Sequence, residues 1–365
     1  MSATSSAPVV RETDDDTGTS PTAELSPAQV QALTDRMARW LPADPPQHLQ
    51  VSLLSGGRSN LTYVLTDGDR EWILRRPPLG HVLATAHDMG REYRVMSALA
   101  GTDVPVPTTT GFCDDPGVIG ASFYVMDRVQ GSVLRTAQDM AAVPVHQAPA
   151  LATAFVDSLA ALHAIDPAGV GLDTFGRPEG YLQRQVRRWG TQLQSSLHRD
   201  VEGFAEFGAA LTGAVPASPR STVVHGDHRL DNAVVTLGAQ PRVAALLDWE
   251  MSTLGDPLAD LALSWLYWEG WAGIDNPIAA TPAEVPGWPD FDTLTERYTT
   301  ISGIQPHRTA WYRAFAVYKF AVICEGIHHR YTSGHTSGEG FDRIGAMVPE
   351  LVDRGRDLLT ADQED

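Results

Sequence analysis

Eight consecutive positions, His225 to Asn232 in the stretch VVHGDHRLDN, hold two acids, two histidines, an arginine and an amide, directly after an apolar run. Sixteen residues after Asn232, Asp248 follows a second apolar run in AALLDWE. Two hairpin-like strands that both end in oxygen ligands bring those ligands together. Phosphoryl transfer needs that inventory: a carboxylate to accept the nucleophile's proton, and hard oxygen donors for a Mg²⁺ ion shared with substrate phosphates. Asp227, Asn232 five residues on and Asp248 on the next strand supply one base and two ligands. Asp and Asn also serve turns through local hydrogen bonds, so the weight lies on the combination and not on any single residue.

The elements around these residues follow from periodicity. Ser26-Pro27 is a cap followed by a first-turn proline, and Val30, Leu33, Met37 and Trp40 recur at helical spacing before Pro42, Pro45 and Pro46. Residues 49–54, LTYVLT and REWILRR read as strands, with the Asp67-Gly68-Asp69 turn joining the last two as a hairpin. A helix over 85–100 and strands at 109–113 and 121–127 complete a β-β-β-α-β-β unit. From Gly131 onward the chain is mostly helical, with stretches near 147–164, 179–195, 198–213, 256–268, 305–330 and 339–359. Short strands are expected at 221–224, 233–237 and 242–247. The fold class is therefore α+β. A disordered tail is expected over 1–24, a small antiparallel-sheet lobe over 25–130 and a larger helical lobe carrying the polar loops over 131–365.

Composition narrows the partners. The 365 residues are 43% hydrophobic, enough for a sizeable core and against wholesale disorder. Lys and Arg number 27 against 45 Asp and Glu, a net charge of −18. Such a chain is repelled by nucleic acid and by anionic membrane surfaces. Two cysteines, Cys113 and Cys324, outline neither a disulfide framework nor a zinc site. No apolar run reaches the roughly 18 residues that span a bilayer. A soluble cytoplasmic protein is the expectation.

The plus-five Asp/Asn spacing is that of kinase catalytic loops, and the chain resembles the aminoglycoside phosphotransferase and choline kinase superfamily from about residue 49 to about 345. HGDHRLDN resembles the catalytic loop of that family, and LLDWEMSTLGDPLADLA its metal-aspartate segment with the helix behind it. The resemblance implies a two-lobed protein-kinase-like fold, ATP or GTP and Mg²⁺ as cofactors, and transfer of the γ-phosphoryl group to a small-molecule hydroxyl. Asp227 would be the base, Asn232 and Asp248 the metal ligands, and His225 a loop-fixing residue. Asp256 and Asp260 read as a helix cap and a brace.

In the sheet lobe, Gly56, Gly57, Arg58, Ser59 and Asn60 match the loop that covers the nucleotide. Arg75 stands where the family usually has a phosphate-contacting lysine, with Arg76 facing away; a one-residue shift of the match would exchange the two. Glu92 matches the glutamate that pairs with this cation, and Met126 to Arg128 would border the base of the nucleotide. The segment AFAVYKFAVICEGIHHRYTSG resembles a subgroup containing the kinase-like domains fused to acyl-CoA dehydrogenases. That subgroup implies acceptors of the hydroxyacyl-CoA type or other small molecules. Lys319, Ile323, Gly326 and Arg330 form one helical stripe, which makes Lys319 and Arg330 candidates for binding an anionic acceptor. The alternatives are an aminoglycoside or macrolide antibiotic kinase and a catalytically silent nucleotide-binding protein.

Overall fold

The computed structural model describes residues 24–54, 60–78, 88–336 and 340–361. Its elements in order are α1 (Pro27–Trp40), β1 (Gln50–Leu53), β2 (Leu61–Thr66), β3 (Glu71–Arg76), α2 (Met89–Leu99), β4 (Thr109–Cys113), α3 (Pro116–Ile119) and β5 (Phe123–Asp127). Then follow α4 (Ala137–Ala141), α5 (Ala148–Ala164), α6 (Tyr181–Ser196), α7 (Phe204–Gly213), β6 (Thr222–Val224), β7 (Ala233–Thr236), β8 (Arg242–Leu246) and β9 (Thr253–Gly255). The chain continues through α8 (Pro257–Trp265), α9 (Phe291–Ser302), α10 (Thr309–Thr332) and α11 (Phe341–Ala361). None of these helices is long and apolar enough to cross a membrane.

The first five strands form one antiparallel sheet in the order β1-β2-β3-β5-β4. Alternation along β3 decides which arginine faces where. Trp72, Leu74 and Arg76 are buried on one face, which packs on α1, while Ile73 and Arg75 point to the other. Arg76 is held in that interior by the Tyr63 hydroxyl, 2.8 Å from Nη2, and by the Ile119 carbonyl, 3.0 Å from Nη1. A capping box between Ser26 and Gln29 fixes the start of α1, whose Leu33 and Met37 seal the same core.

The remainder is helical around a second, larger core. α10 packs against α6, α7, α8 and α11, and is apolar around most of its circumference because it is buried on most sides. Lys319 is one of its few charged positions. β7 and β8 form a hairpin that pairs Ala233 with Leu246, so the residues just outside the pair, Asn232 and Leu247, are opposite one another, and Leu247 N donates to Asn232 O at 2.7 Å. That register is what brings Asn232 beside Asp248. α8 starts on Asp256, whose carboxylate caps Leu258 N at 2.8 Å and accepts from the Tyr312 hydroxyl at 2.9 Å. Helix α9 is unanticipated. Its sequence FDTLTERYTTIS is mostly polar and Thr-rich, and it is held by burying Phe291, Leu294 and Tyr298 against α5. Residues 1–23, most of the expected tail, lie outside the described residues.

Candidate active site

Asp227 sits in the loop between β6 and β7, and its carboxylate is surrounded by donors. Asn232 Nδ2 donates to Oδ2 at 2.8 Å and to the Asp227 carbonyl at 2.9 Å. Arg229 Nε lies 3.4 Å from Oδ2, and the Tyr267 hydroxyl is within reach of the same carboxylate. Burial, with Asp227 alongside, holds the Tyr267 phenol well above its ordinary range, so it stays a donor. Arg229 also pairs with Asp231 at 2.8 Å and lies over the Tyr267 ring at 5.1 Å. The result is a base whose orientation is set from three sides and which keeps open valences for a substrate proton.

The loop is braced from behind. Asp260, one turn into α8, accepts from His225 N at 2.6 Å, Gly226 N at 2.9 Å and His163 Nε2 at 3.2 Å. Burial alone would raise its carboxyl, but the hydrogen bond and charge of His163, with His225 and His228, hold it well below the usual carboxylate range. His225 Nδ1 accepts from Asp227 N, and Nε2 donates to the Leu247 carbonyl at 3.0 Å, which ties the catalytic loop to the strand end that precedes Asp248. Gly226 has a φ of +82°, and a Cβ there would meet the Met251 carbonyl at 2.7 Å. Glycine is required at this crossing of the two loops.

Asp248 adopts a φ of +62°, one of two left-handed non-glycine residues among those described. This turn re-aims the carboxylate at the end of β8. Oδ1 is buried with no hydrogen-bond partner and lies 3.6 Å from Arg75 Nη2. Glu250, two residues on, has a buried, unpartnered Oε2, and burial with Asp248 and Glu92 nearby pushes its carboxyl up to about 7. Orphaned carboxylate oxygens at the strand end that pairs with Asn232 are donors suited to a hard cation. Among the described residues no group of three or more His, Cys, Asp and Glu is arranged to hold a metal ion. A Mg²⁺ ion that completes its shell with phosphates and water needs only one or two protein ligands.

Across the cleft, Arg75 Nη1 donates to Glu92 Oε2 at 2.8 Å. Tyr124 donates to the same oxygen at 2.8 Å, and Asn60 Nδ2 lies 3.4 Å from Oε1. Glu92 is 1% exposed; burial raises its carboxyl against the pull of Arg75. Arg75 therefore spans Glu92 and Asp248, whereas Arg76 is inside the sheet core. Gly56, Gly57, Arg58 and Ser59 lie outside the described residues. Met126 is buried in the core behind the strand, and the Arg128 side chain is turned to Glu71 at 2.9 Å. At this edge the side chains are committed to the sheet.

The stripe on α10 divides. Lys319 Nζ donates to the Gly226 carbonyl at 3.3 Å, against the catalytic loop. Arg330 is exposed near the end of the helix, about 16 Å along the axis at 1.5 Å per residue, so the two cations are not brought together. A Cβ on Gly326 would meet Ser196 Oγ at 3.5 Å, an ordinary contact, so no close approach requires the glycine. Sequence reasoning also passed over Tyr267, Arg229, Glu250 and Tyr124. Arg229 carried a signal, being a cation two residues from Asp227. Tyr267 did not, because it lies among Trp265, Trp268 and Trp271, all of them buried core residues.

A model of the phosphotransferase enzyme family (APH) matches residues 50–292. Acyl-CoA dehydrogenase family member 11 of Gallus gallus is 34% identical over 331 residues, 88% of this chain and 42% of the relative. The Homo sapiens protein of the same name is 32% identical over 351 residues, covering 94% and 45%. The chain thus spans less than half the length of these curated relatives. Among solved structures, a Ralstonia eutropha protein provisionally described as an aminoglycoside phosphotransferase superposes with a TM-score of 0.79 at 30% identity, covering 91% of this chain and 98% of that one. The aminoglycoside phosphotransferase APH(4)-Ia, in a ternary complex with AMP-PNP and hygromycin B, superposes with a TM-score of 0.59 at 15% identity over 92% and 98%. That last likeness is one of fold.

Proposed function

The chain belongs to the phosphotransferase enzyme family, and from that premise we propose that it transfers the γ-phosphoryl group of ATP or GTP to a hydroxyl of a small molecule. The observation that carries this reading is the convergence of Asp227, Asn232, Asp248 and the Arg75–Glu92 pair on one cleft. The acceptor hydroxyl would sit against Asp227, whose carboxylate takes its proton as the oxygen bonds to the γ-phosphorus. The bond from that phosphorus to the bridging oxygen breaks, and the nucleoside diphosphate leaves with the electron pair. Asn232, Arg229 and Tyr267 hold the carboxylate in the orientation that receives the proton. Arg75, fixed by Glu92, would neutralise the nucleotide phosphates with a permanent charge. Asn232 and Asp248 would hold Mg²⁺, which would supply charge neutralisation to the nucleotide phosphates. A cytoplasmic setting suits this use of nucleotide.

Two measurements test the reading. ATP or GTP with Mg²⁺, at about 100 times its Kd, should stabilise the protein by roughly 2.7 kcal/mol. A nucleotide-consumption screen over hydroxyacyl-CoAs, aminoglycosides, macrolides, choline-like alcohols and sugars should then find an acceptor. Asp227→Asn is expected to lower kcat by about 10²–10⁴ while keeping the nucleotide-induced stabilisation, because the base serves the acceptor. Near-normal turnover in that variant would remove Asp227 from the role. Stabilisation without turnover of any acceptor would favour a silent nucleotide-binding protein.

A further inference from the structure

Lys319 is the single lysine of the chain, against 26 arginines. Its ammonium touches the catalytic loop at the Gly226 carbonyl and lies 5.6 Å from the centre of the Trp189 indole on α6. Among the described residues it has no carboxylate partner, so two of its three donors are unspent. Trp189 is 8% exposed, and its Nε1 is buried with no hydrogen-bond partner. Arg188, the neighbouring residue, places its guanidinium 5.7 Å from the same indole and has no ion pair among the described residues either. Two unspent lysine donors and the buried, unpartnered Trp189 N–H thus lie on the α6–α10 seam next to the catalytic loop, with the exposed Arg188 guanidinium on the same indole, in a protein whose net charge is −18. Buried donors are normally satisfied, and like charges on one indole repel.

We propose that Lys319, the Trp189 N–H and Arg188 form an anion subsite of the acceptor pocket, and that the hydroxyl compound phosphorylated at Asp227 carries a carboxylate or phosphate group held there. The proposal rests on the phosphotransferase reading and names the substrate class of that site. Desolvation lowers the Lys319 ammonium below its ordinary range against the pull of Asp227 and Asp260, with Arg188 adding to the lowering. A polycationic acceptor would meet repulsion at the same place. The second cation of the pocket is then Arg188 on the facing helix, and Arg330 has no part in it.

The test uses matched acceptors: 3-hydroxybutyrate against its methyl ester, and glycerol 3-phosphate against glycerol. The wild type should favour the anionic member of at least one pair by about 30-fold or more in kcat/KM. Lys319→Met should collapse that preference through KM of the anionic acceptor, with nucleotide-induced stabilisation retained. Arg188→Gln, at an exposed position that carries no folding burden, should erode it several-fold, and decides the matter if the lysine variant does not fold. Equal turnover of both members, or a Lys319→Met variant that slows both members alike, would reduce Lys319 to a brace for Gly226 and overturn the subsite. Reductive ¹³C-methylation of the wild type gives a single lysine side-chain signal. A saturable shift of that signal with acetate or inorganic phosphate, absent with methyl acetate, supports the subsite independently of turnover, and an unmoved signal counts against it. Loss of nucleotide-induced stabilisation in the wild type would instead sink the phosphotransferase reading, while the lysine signal still reports on the anion.

Discussion

Asp248 carries two costs that the fold does not recover. Its φ of +62° is an uncommon conformation for a residue with a Cβ, and its Oδ1 is buried without a hydrogen-bond donor. Strain and an orphaned oxygen at one residue are understandable if a cation and its phosphates complete the site. Asp248→Gly removes both, since glycine occupies positive φ freely. The variant is expected to melt at or above the wild-type temperature while losing Mg²⁺-dependent nucleotide stabilisation and activity. The measurement is the thermal midpoint with and without Mg-nucleotide; a variant that still responds to Mg-nucleotide as the wild type does would remove Asp248 from the metal site. Arg75 shows the converse economy, because one guanidinium answers both Glu92 and Asp248 with a charge that no physiological pH removes.

At the scale of elements, the turn after α8 has a particular consequence. Residues Leu266–Gly270 form a π-helical turn, whose extra residue changes the direction in which the following side chains point. Trp268 stacks on Phe155 at 5.7 Å in the core, while Tyr267 is released toward the catalytic loop to meet Asp227. Tyr267→Phe keeps the ring under Arg229 and deletes only the hydroxyl. A hydrogen bond to a charged group contributes about 1.5–3 kcal/mol, so kcat should fall by about tenfold or more. The nucleotide response should be unaffected, because the hydroxyl serves the base. Unchanged kcat in steady-state assays would make the π turn a matter of packing alone. The β7–β8 hairpin is the other positioning element, since its register sets the separation of Asn232 from Asp248.

Across the whole molecule, helix α2 links the sheet to the helical part. Arg91 donates to the carbonyls of Phe175 at 3.0 Å and Ser252 at 3.1 Å, one residue before Glu92. The Glu92–Arg75 pair is therefore referenced to the segment that carries Asp248. The core also sets the response to pH. His228 is buried between Phe155 and the hydroxyls of Ser158 and Ser264, and burial, with His225 nearby, lowers it well below 6.5. The unfolded chain takes up this proton first, so the His228 contribution to stability is full above pH 6.5 and declines as pH falls below it, by up to about 1.4 kcal/mol per pH unit. Asp260 acts in a lower window: its carboxyl is depressed in the fold, so its contribution is present above 3.8 and lost as pH falls further. Glu250, held up at about 7, gains stability over the same window in both proteins, so the His228 contribution is read from the difference: between pH 8 and 5 the wild-type thermal midpoint should fall relative to that of His228→Gln, which is less stable at pH 8 but has no proton to gain. Parallel curves for the two proteins would contradict this account.

What the sequence by itself determined was local. The catalytic loop, the Asp248 segment and the cap at Asp256 are short polar clusters at the ends of apolar runs, and their spacing is read without knowing what packs on them. Alternation along β3 likewise set Arg75 and Arg76 on opposite faces, because a strand has period two regardless of its neighbours, but which of the two lies in the sheet core was decided by the tertiary structure. Helix α9 escaped because its stability comes from burying three residues against α5 rather than from its mostly polar, Thr-rich sequence. The stripe on α10 is present as helical geometry. Eleven residues along one face place Lys319 and Arg330 in line but not in contact, whereas Trp189 meets Lys319 from a helix more than 120 residues away in the chain. Tyr267 turned to Asp227 for a similar reason. Spacing within an element follows from backbone geometry, but which faces of two distant elements meet depends on how their side chains pack, and only the tertiary structure decides that.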